Sequence, residues 1–335
     1  MSLDLSVVIP VFDEAGQIAP TIDSATAAIL ETNRFRRAEI VVADDGSSDG
    51  SGEAALAAET AVPVRVVRLT ENQGKFHARL AALEAAEGED VLLLDAGVTL
   101  APGGLRAIEL DGDPGATVWN AHTLMETERR PIAQFWSVVQ DIAFAAYQEQ
   151  PRRTSFGSEE FDRFPKGTTC FFAPRALMLD ACAAFTSLYD DLRHSSDDTT
   201  MIRWIAERER INISPDFACV YRPRTSLTAF FRHAVVRGVV FPDSFREPSS
   251  RFFWPMVAFY PVSAGLAIAA LRRPVVAPVL LAGVGVAAGG VAAAKGRRPE
   301  EVTSVAALAP VYALGHGLGM WKGLAMVAAR RLRRR

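Results

Sequence analysis

Five polar clusters in this 335-residue chain combine residue types and spacings that could do chemistry. Pro10-Val-Phe-Asp13-Glu14 comes first. In Asp44-Asp45-Gly46-Ser47-Ser48 the two carboxylates can accept hydrogen bonds from a base or ribose, Gly46 permits a tight turn, and a serine can cap the next helix. Lys75 and Arg79, one turn apart where a helix begins, suit a phosphate, which a helix N-terminus also favours. Asp95-Ala96-Gly97 offers one carboxylate where a divalent metal bridging a diphosphate would sit. Asp197-Asp198 precedes a helical pattern (Met201-Ile202, Trp204-Ile205), so the pair falls at a helix N-terminus, where its blandest role is to complement the helix dipole.

The first four clusters share a position in the pattern. Strand-like runs at 5–11, 39–43, 64–69 and 90–94 alternate with helical patterns at 14–32, 50–59 and 75–86. The runs are β-branched and nearly continuous, as in strands buried on both faces, and their spacing is that of βαβ units. The fold class is therefore α/β with an open, mostly parallel sheet. Such sheets bind ligands outside the carboxyl ends of their strands, where each of these clusters lies.

The formal net charge of −3 conceals two unlike parts. Residues 251–335 hold 12 Lys/Arg and two Asp/Glu, which leaves 24 basic and 37 acidic residues in 1–250. An acidic body with a basic, apolar tail points to a membrane-attached enzyme and away from nucleic acid. The tail has uncharged stretches at 252–271, 274–294 and 302–321, each of the ~20 residues a membrane helix needs. The expected division is a catalytic domain at 1–225, an interfacial amphipathic helix and linker at 226–250, and two or three membrane helices with an Arg-rich end at 251–335. No signal peptide is expected from the first residues, and Cys170, Cys182 and Cys219 fit neither a zinc site nor a disulfide framework. These points suit a multi-pass protein of the plasma membrane with its body in the cytosol. Three full crossings would put the Arg-rich end outside, against the positive-inside tendency, whereas two crossings keep it inside.

The motifs together resemble those of family-2 inverting glycosyltransferases with the GT-A (Rossmann-like) fold, of the membrane-bound kind that builds exopolysaccharide or cell-envelope glycans. The resemblance rests on 6–14, 40–50, 72–79 and 91–95, then on 166–175, 196–199 and 211–224, and covers roughly 4–240. It implies a nucleotide-diphosphate sugar donor. Pro10, Asp13, Glu14, Asp44 and Asp45 would lie by the nucleoside, Lys75 and Arg79 by the diphosphate, and Asp95 on the metal side. Asp198, with Asp197 beside it, would be the base that deprotonates an acceptor hydroxyl. A divalent metal, Mg2+ or Mn2+, is implied. However, the family's Asp-x-Asp motif here reads Asp95-Ala96-Gly97, so the second carboxylate is missing. The Gln-x-x-Arg-Trp motif of processive synthases is replaced by Phe231-Arg232-His233-Ala-Val-Val-Arg237, which argues against a polymerase.

Arg232, His233 and Arg237 sit on an amphipathic stretch, 227–241, expected on the acceptor and membrane side. A second such stretch is 132–147, and 152–157 after it reads as a mobile loop. The expected partners are a nucleotide-sugar donor, a lipid-linked or glycan acceptor and membrane lipids, with room for a homo-oligomer. The leading reading is transfer of one sugar to a lipid-linked or envelope-glycan acceptor at the cytosolic membrane face. A polyprenyl-phosphate sugar synthase is the nearest alternative, and a membrane scaffold that has lost turnover is one of another class.

Overall fold

The computed structural model describes residues 3–223 and 225–333; Arg224 of the motif above and 334–335 of the basic end lie outside the described residues. The chain first alternates as expected: β1 (Leu3–Val11), α1 (Ala15–Leu30), β2 (Ala38–Asp44), α2 (Ser51–Leu56), β3 (Val64–Arg68), α3 (Lys75–Ala85) and β4 (Gly88–Leu94). Short elements follow: β5 (Val98–Leu100), α4 (Gly104–Leu110), β6 (Trp119–Asn120) and β7 (His122–Met125). Then come α5 (Pro131–Ala143), α6 (Ala145–Gln148), β8 (Thr154–Phe156), β9 (Cys170–Pro174), α7 (Arg175–Ala183), α8 (Asp197–Ala206), β10 (Ile211–Ile213) and β11 (Ala218–Tyr221). Four long helices close the described chain: α9 (Leu227–Ser244), α10 (Phe253–Arg272), α11 (Val276–Ala294) and α12 (Pro299–Arg333).

These elements form two compact units with interleaved sequence. The first takes the chain up to Leu124, then Glu149–Thr186 and Asp197–Arg222; the second takes Met125–Gln148, Ser187–Ser196 and everything from Pro223.

The first unit is an eight-stranded sheet in the order β3-β2-β1-β4-β9-β6-β10-β8, beside a three-stranded sheet β5-β11-β7. The four leading strands are parallel, with Val8 opposite Val41 on one side and Leu93 on the other. β9 runs antiparallel to β4 and β6. Every residue of β2 is buried, as the unbroken apolar run predicts for a strand covered on both faces. The strand order reverses at β1, so a crevice opens outside its carboxyl end between β1 and β4. The loop expected at 152–157 is instead ordered as β8. Arg153 pairs with Asp111 (Nε to Oδ2 2.9 Å) and lies over the Trp119 ring at 5.1 Å, while Ser155 pairs with Asn212 of β10.

The second unit is helical. The face of α5 that carries Ile132, Phe135, Trp136 and Val138 is buried in a cluster with Phe230 of α9 and Val305 and Leu308 of α12. α9 packs along α12 through a seam of glycine. A Cβ on Gly238 would lie 2.0 Å from the His316 carbonyl oxygen, and one on Gly319 2.1 Å from that of Val235. Only glycine lets the two backbones come so close. α10, α11 and α12 are each long and apolar enough to cross a membrane.

The seam yields a prediction. Gly238→Ala should destabilise the protein by roughly 1–3 kcal/mol, the usual range for overpacking. Gly265→Ala, in α10 where nothing lies within 4 Å of a new Cβ, should not. Thermal melting of both variants in the same detergent checks this.

Candidate active site

The loops at the strand ends are tied to one another before any ligand arrives. Asp13 has a positive φ of 51°, its backbone N–H donates to Ser47 Oγ (3.1 Å), and its Oδ1 accepts from the Ser48 N–H (2.8 Å). The Glu14 N–H donates to Ser51 Oγ (2.9 Å) and the Ala15 N–H to Asp49 Oδ2 (2.9 Å). The loop after β1 is thus fastened onto the loop after β2. Pro10 is buried within β1 opposite Ala43. Asp44 ends β2 and accepts from the Ser47 N–H (2.9 Å).

Asp45 has a structural part as well. It is buried, and its two oxygens accept from the backbone N–H groups of Gln73 (2.8 Å) and Gly74 (2.9 Å). Its carboxylate therefore clamps the loop that leads into α3 and aims the start of that helix.

Lys75 and Arg79, one turn apart on α3, meet different fates. The Lys75 ammonium is half exposed and donates to Asp95 Oδ2 at 2.6 Å. Arg79 is fully buried, with Nη1 on Asp197 Oδ2 and Nη2 on Thr168 Oγ1 (2.7 Å). An open cation for a diphosphate was expected here; the side chain instead joins α3, α8 and the loop before β9. Burial alone would lower the Arg79 pKa, but the fields of Asp197, Asp95 and Asp198 outweigh it and hold the guanidinium charged. Asp197 and Asp198 form the first turn of α8, and Asp198 Oδ1 accepts from the Thr199 N–H at 2.6 Å.

Asp95, just beyond β4, holds its backbone to the Thr169 carbonyl (2.9 Å), while its Oδ1 is buried and accepts no hydrogen bond. A buried carboxylate oxygen without a donor is costly and suits a cation supplied with a ligand. Among the described residues no group of three or more His, Cys, Asp or Glu could hold a metal. The residues present thus fit a divalent ion bound through Asp95 and otherwise by donor oxygens and water. The backbone at the missing second carboxylate is that of a glycine. Gly97 has φ +81°, in the left-handed region, and its N–H is fixed to Thr21 Oγ1 at 3.0 Å, so an aspartate there would be strained.

Lys75, Arg79, Asp95, Asp197 and Asp198 are thus gathered in one place, with Asp13, Glu14, Asp44 and Asp45 in the neighbouring tied loops. Arg232, His233 and Arg237 lie on α9 in the helical unit, where Arg237 sits 4.9 Å over the Trp136 ring and the His233 ring is 5.4 Å from it. Thr168 lies in the 166–175 segment that carries the resemblance, but no role was read for it in the sequence. It stands beside the Thr169 that fixes Asp95, just before a buried strand.

Residues 6–114 match the family model described as Glycosyl transferase family 2. Undecaprenyl-phosphate 4-deoxy-4-formamido-L-arabinose transferase of Pseudomonas aeruginosa is 40% identical over 94 residues, 28% of this chain and 27% of that protein. Dodecaprenyl-phosphate galacturonate synthase of Rhizobium johnstonii is 29% identical over 96 residues, 28% of each chain. The chain therefore matches little more than a quarter of the length of these curated relatives. Among solved structures, S. aureus TarS in complex with UDP is similar with a TM-score of 0.54 and 17% identity, over 98% of this chain and 92% of that one. Mannosyltransferase PcManGT from Pyrobaculum calidifontis, in complex with GDP-Man and Mn2+, has a TM-score of 0.50 and 24% identity, over 99% and 88%. At such identities the likeness carries the fold, which is GT-A.

Two predictions come from this geometry. Arg79→Met should destabilise the protein by about 3–5 kcal/mol, because it strands the Asp197 carboxylate in a buried place, and chemical denaturation measures it. Burial pushes the Cys182 thiol up to about 11, and Cys170 and Cys219 are buried as well. Ellman's reagent at pH 8 should therefore modify none of the three until the protein unfolds.

Proposed function

We propose that this chain, whose residues 6–114 match the glycosyl transferase family 2 model, moves a sugar from a nucleoside-diphosphate donor to a lipid-linked acceptor at a membrane surface. The observation that carries this reading is the Lys75–Asp95 pair at the switch point of the sheet, with Asp95 Oδ1 left without a donor and the Asp197-Asp198 pair fixed nearby through Arg79.

In this reading the acceptor oxygen attacks the anomeric carbon. The bond from that carbon to the donor phosphate breaks with inversion, and its electrons leave with the nucleoside diphosphate. Asp198 takes the proton of an acceptor hydroxyl. Lys75 meets the charge that develops on the diphosphate. Asp95 would hold a divalent metal, which supplies further neutralisation of the leaving group. Arg79 touches no reactant; it is a positioning residue that sets the first turn of α8. The tied loops bearing Asp13, Glu14, Asp44 and Asp45 would wall the nucleoside pocket.

The names of the two curated relatives favour a second reading, in which a polyprenyl phosphate is itself the nucleophile. An ionised phosphate needs no strong base. The two readings therefore part at Asp198.

Membrane attachment through the C-terminal helices belongs to the same proposal, with two crossings by α10 and α11. α12 is bonded at both ends to segments that lie between parts of the catalytic unit in sequence. Ser304 donates to Gln134 (2.7 Å), and Arg330 pairs with Asp190 (2.7 Å). No apolar run of ~20 residues separates Gln134 from Asp190, so both partners lie on one side of a bilayer. The 26 residues between Ser304 and Arg330 span about 39 Å, more than a bilayer core. α12 therefore runs on the catalytic side, and the Arg-rich end stays there with it.

The test is nucleotide release by the full chain in nanodiscs, with a panel of nucleotide sugars and membrane lipid extract. Release of one nucleotide that depends on the extract, slowed by chelator, is expected. Asp198→Asn should slow it roughly 100-fold or more for a hydroxyl acceptor and far less for a phosphate. If no donor yields extract-dependent nucleotide release, the reading is wrong.

A further inference from the structure

Asp243 is a buried carboxylate in the last turn of α9, with its side chain shut off from solvent. A carboxylate there faces the negative end of the helix dipole, and an aspartate is almost never fully buried unless it is paired. Its partners supply the reason for its place. Oδ1 accepts from the Leu188 N–H (2.7 Å), and Oδ2 accepts from the Ser196 N–H (2.9 Å) and the Ser187 hydroxyl (2.9 Å). Arg246 Nη1 stands 3.8 Å from Oδ1. Leu188 and Ser196 lie near the two ends of one short segment, 187–196, and a single carboxylate grips both. Other groups of the helical unit hold the same segment. The Tyr189 hydroxyl donates to the Val239 carbonyl of α9, and the Ser196 and Ser244 hydroxyls share a hydrogen bond. Arg330 of α12 donates to the Ser187 carbonyl (2.9 Å) and pairs with Asp190 (2.7 Å). Ser187–Ser196 thus belongs to the helical unit, whereas the very next residue, Asp197, opens α8 of the catalytic unit. Ser196 is the last residue tied to α9, and it stands two residues before Asp198.

We infer that Asp243 is a positioning residue for Asp198: by fixing the Ser196 amide it sets the point from which the chain enters α8, so that the helical unit, through one peptide bond, shares with Arg79 the placing of the base. The inference rests on the reading of Asp198 as that base and adds what holds it. Arg79 grips only the Asp197 side chain, and one contact leaves the first turn of α8 able to rotate about it. The Ser196 amide on Asp243 is the second fixed point. Hydrogen bonds from N–H groups to a carboxylate are of the strong, charge-assisted kind, and this one is closed to water. A base must stand within hydrogen-bond reach of the proton it takes, so an error of about 1 Å in its place is enough to slow transfer.

The experiment uses Asp243→Asn in the full chain in nanodiscs. The variant keeps the shape of the side chain but turns one oxygen into an amide that cannot accept, so one of the two backbone N–H groups loses its partner. Three quantities are read: hydrogen exchange of peptides covering Asp197–Ala206, kcat for extract-dependent nucleotide release, and the Kd of the nucleotide that the native chain binds. Exchange over α8 should quicken while that over β1 and β2 stays native. The value of kcat should fall roughly 10–100-fold, the scale of a misplaced catalytic group, and the nucleotide Kd should not change. In an Asp198→Asn background the second substitution should cost less than about twofold more, because a residue that acts through the base has nothing left to act on, whereas general damage would add. Arg330→Ala, which frees Ser187 and Asp190 from α12, replaces Asp243→Asn if melting shows that variant unfolded, and the same pattern is expected of it. Native exchange over α8, native kcat, or losses that add in the double variant would each overturn the inference. A slow Asp198→Asn beside an Asp243→Asn of native rate refutes the positioning alone. No release by the native chain, or a harmless Asp198→Asn, refutes the reading of the site, and exchange over α8 then decides by itself whether Asp243 orders that helix.

Discussion

A guanidinium taken wholly out of water must find its counter-charges inside the protein, and in this chain the requirement falls on Arg79. Its side chain leaves α3 and meets Asp197 on α8 and Thr168 ahead of β9, with Asp95 and Asp198 contributing to the field that keeps it charged. Removing a buried charge from its partner is strongly unfavourable, so the contact holds three elements to one arrangement. The carboxylates around it inherit that order. Asp198 stands in the first turn of the helix that Asp197 anchors, and Asp95 is fixed through Thr169, next to Thr168. Lys75, one turn before Arg79, is therefore set beside Asp95 by the same helix.

The leading half of the sheet was legible because its signal is local. Continuous apolar runs and βαβ spacing mark buried parallel strands, and the ends of those strands can be counted. Lys75 and Asp95 could be read as neighbours because the sheet topology puts successive strand ends together. The roles of Arg79 and Asp45 were not legible. Arg79 meets a carboxylate 118 residues away, and nothing in the sequence around Arg79 distinguishes a buried clamp from an exposed phosphate ligand. Asp45 likewise looks like a free carboxylate in a turn until the loop at Gln73 and Gly74 folds onto it. The strand at 154–156 was missed for the same reason. Three residues carry little pattern, and the order comes from Asp111, Trp119 and Asn212, all distant in sequence.

Hydropathy alone ranks α12 with α10 and α11, because glycine and alanine make a helix apolar whether it faces lipid or another backbone. The close approach of Gly238 and Gly319 shows which of the two applies along that face. α10, with a single glycine, is left almost bare, with Trp254, Val262, Leu266 and Leu271 exposed, as a lipid-facing helix would be. Two helices that are each long and apolar enough to cross a membrane thus differ in what covers them, and the tertiary contacts show it.

The central claim is that the cleft holding Lys75 and Asp95 receives the diphosphate of a nucleotide donor. Calorimetric titration of UDP and GDP into the full chain, with and without Mn2+, tests it most directly when repeated on Lys75→Ala and Asp95→Asn. The account predicts that one nucleotide binds, that Lys75→Ala weakens it about tenfold with or without the metal, as expected for a lost charge-assisted contact, and that Asp95→Asn abolishes only the gain from Mn2+. Equal affinity in the native chain and both variants would contradict it.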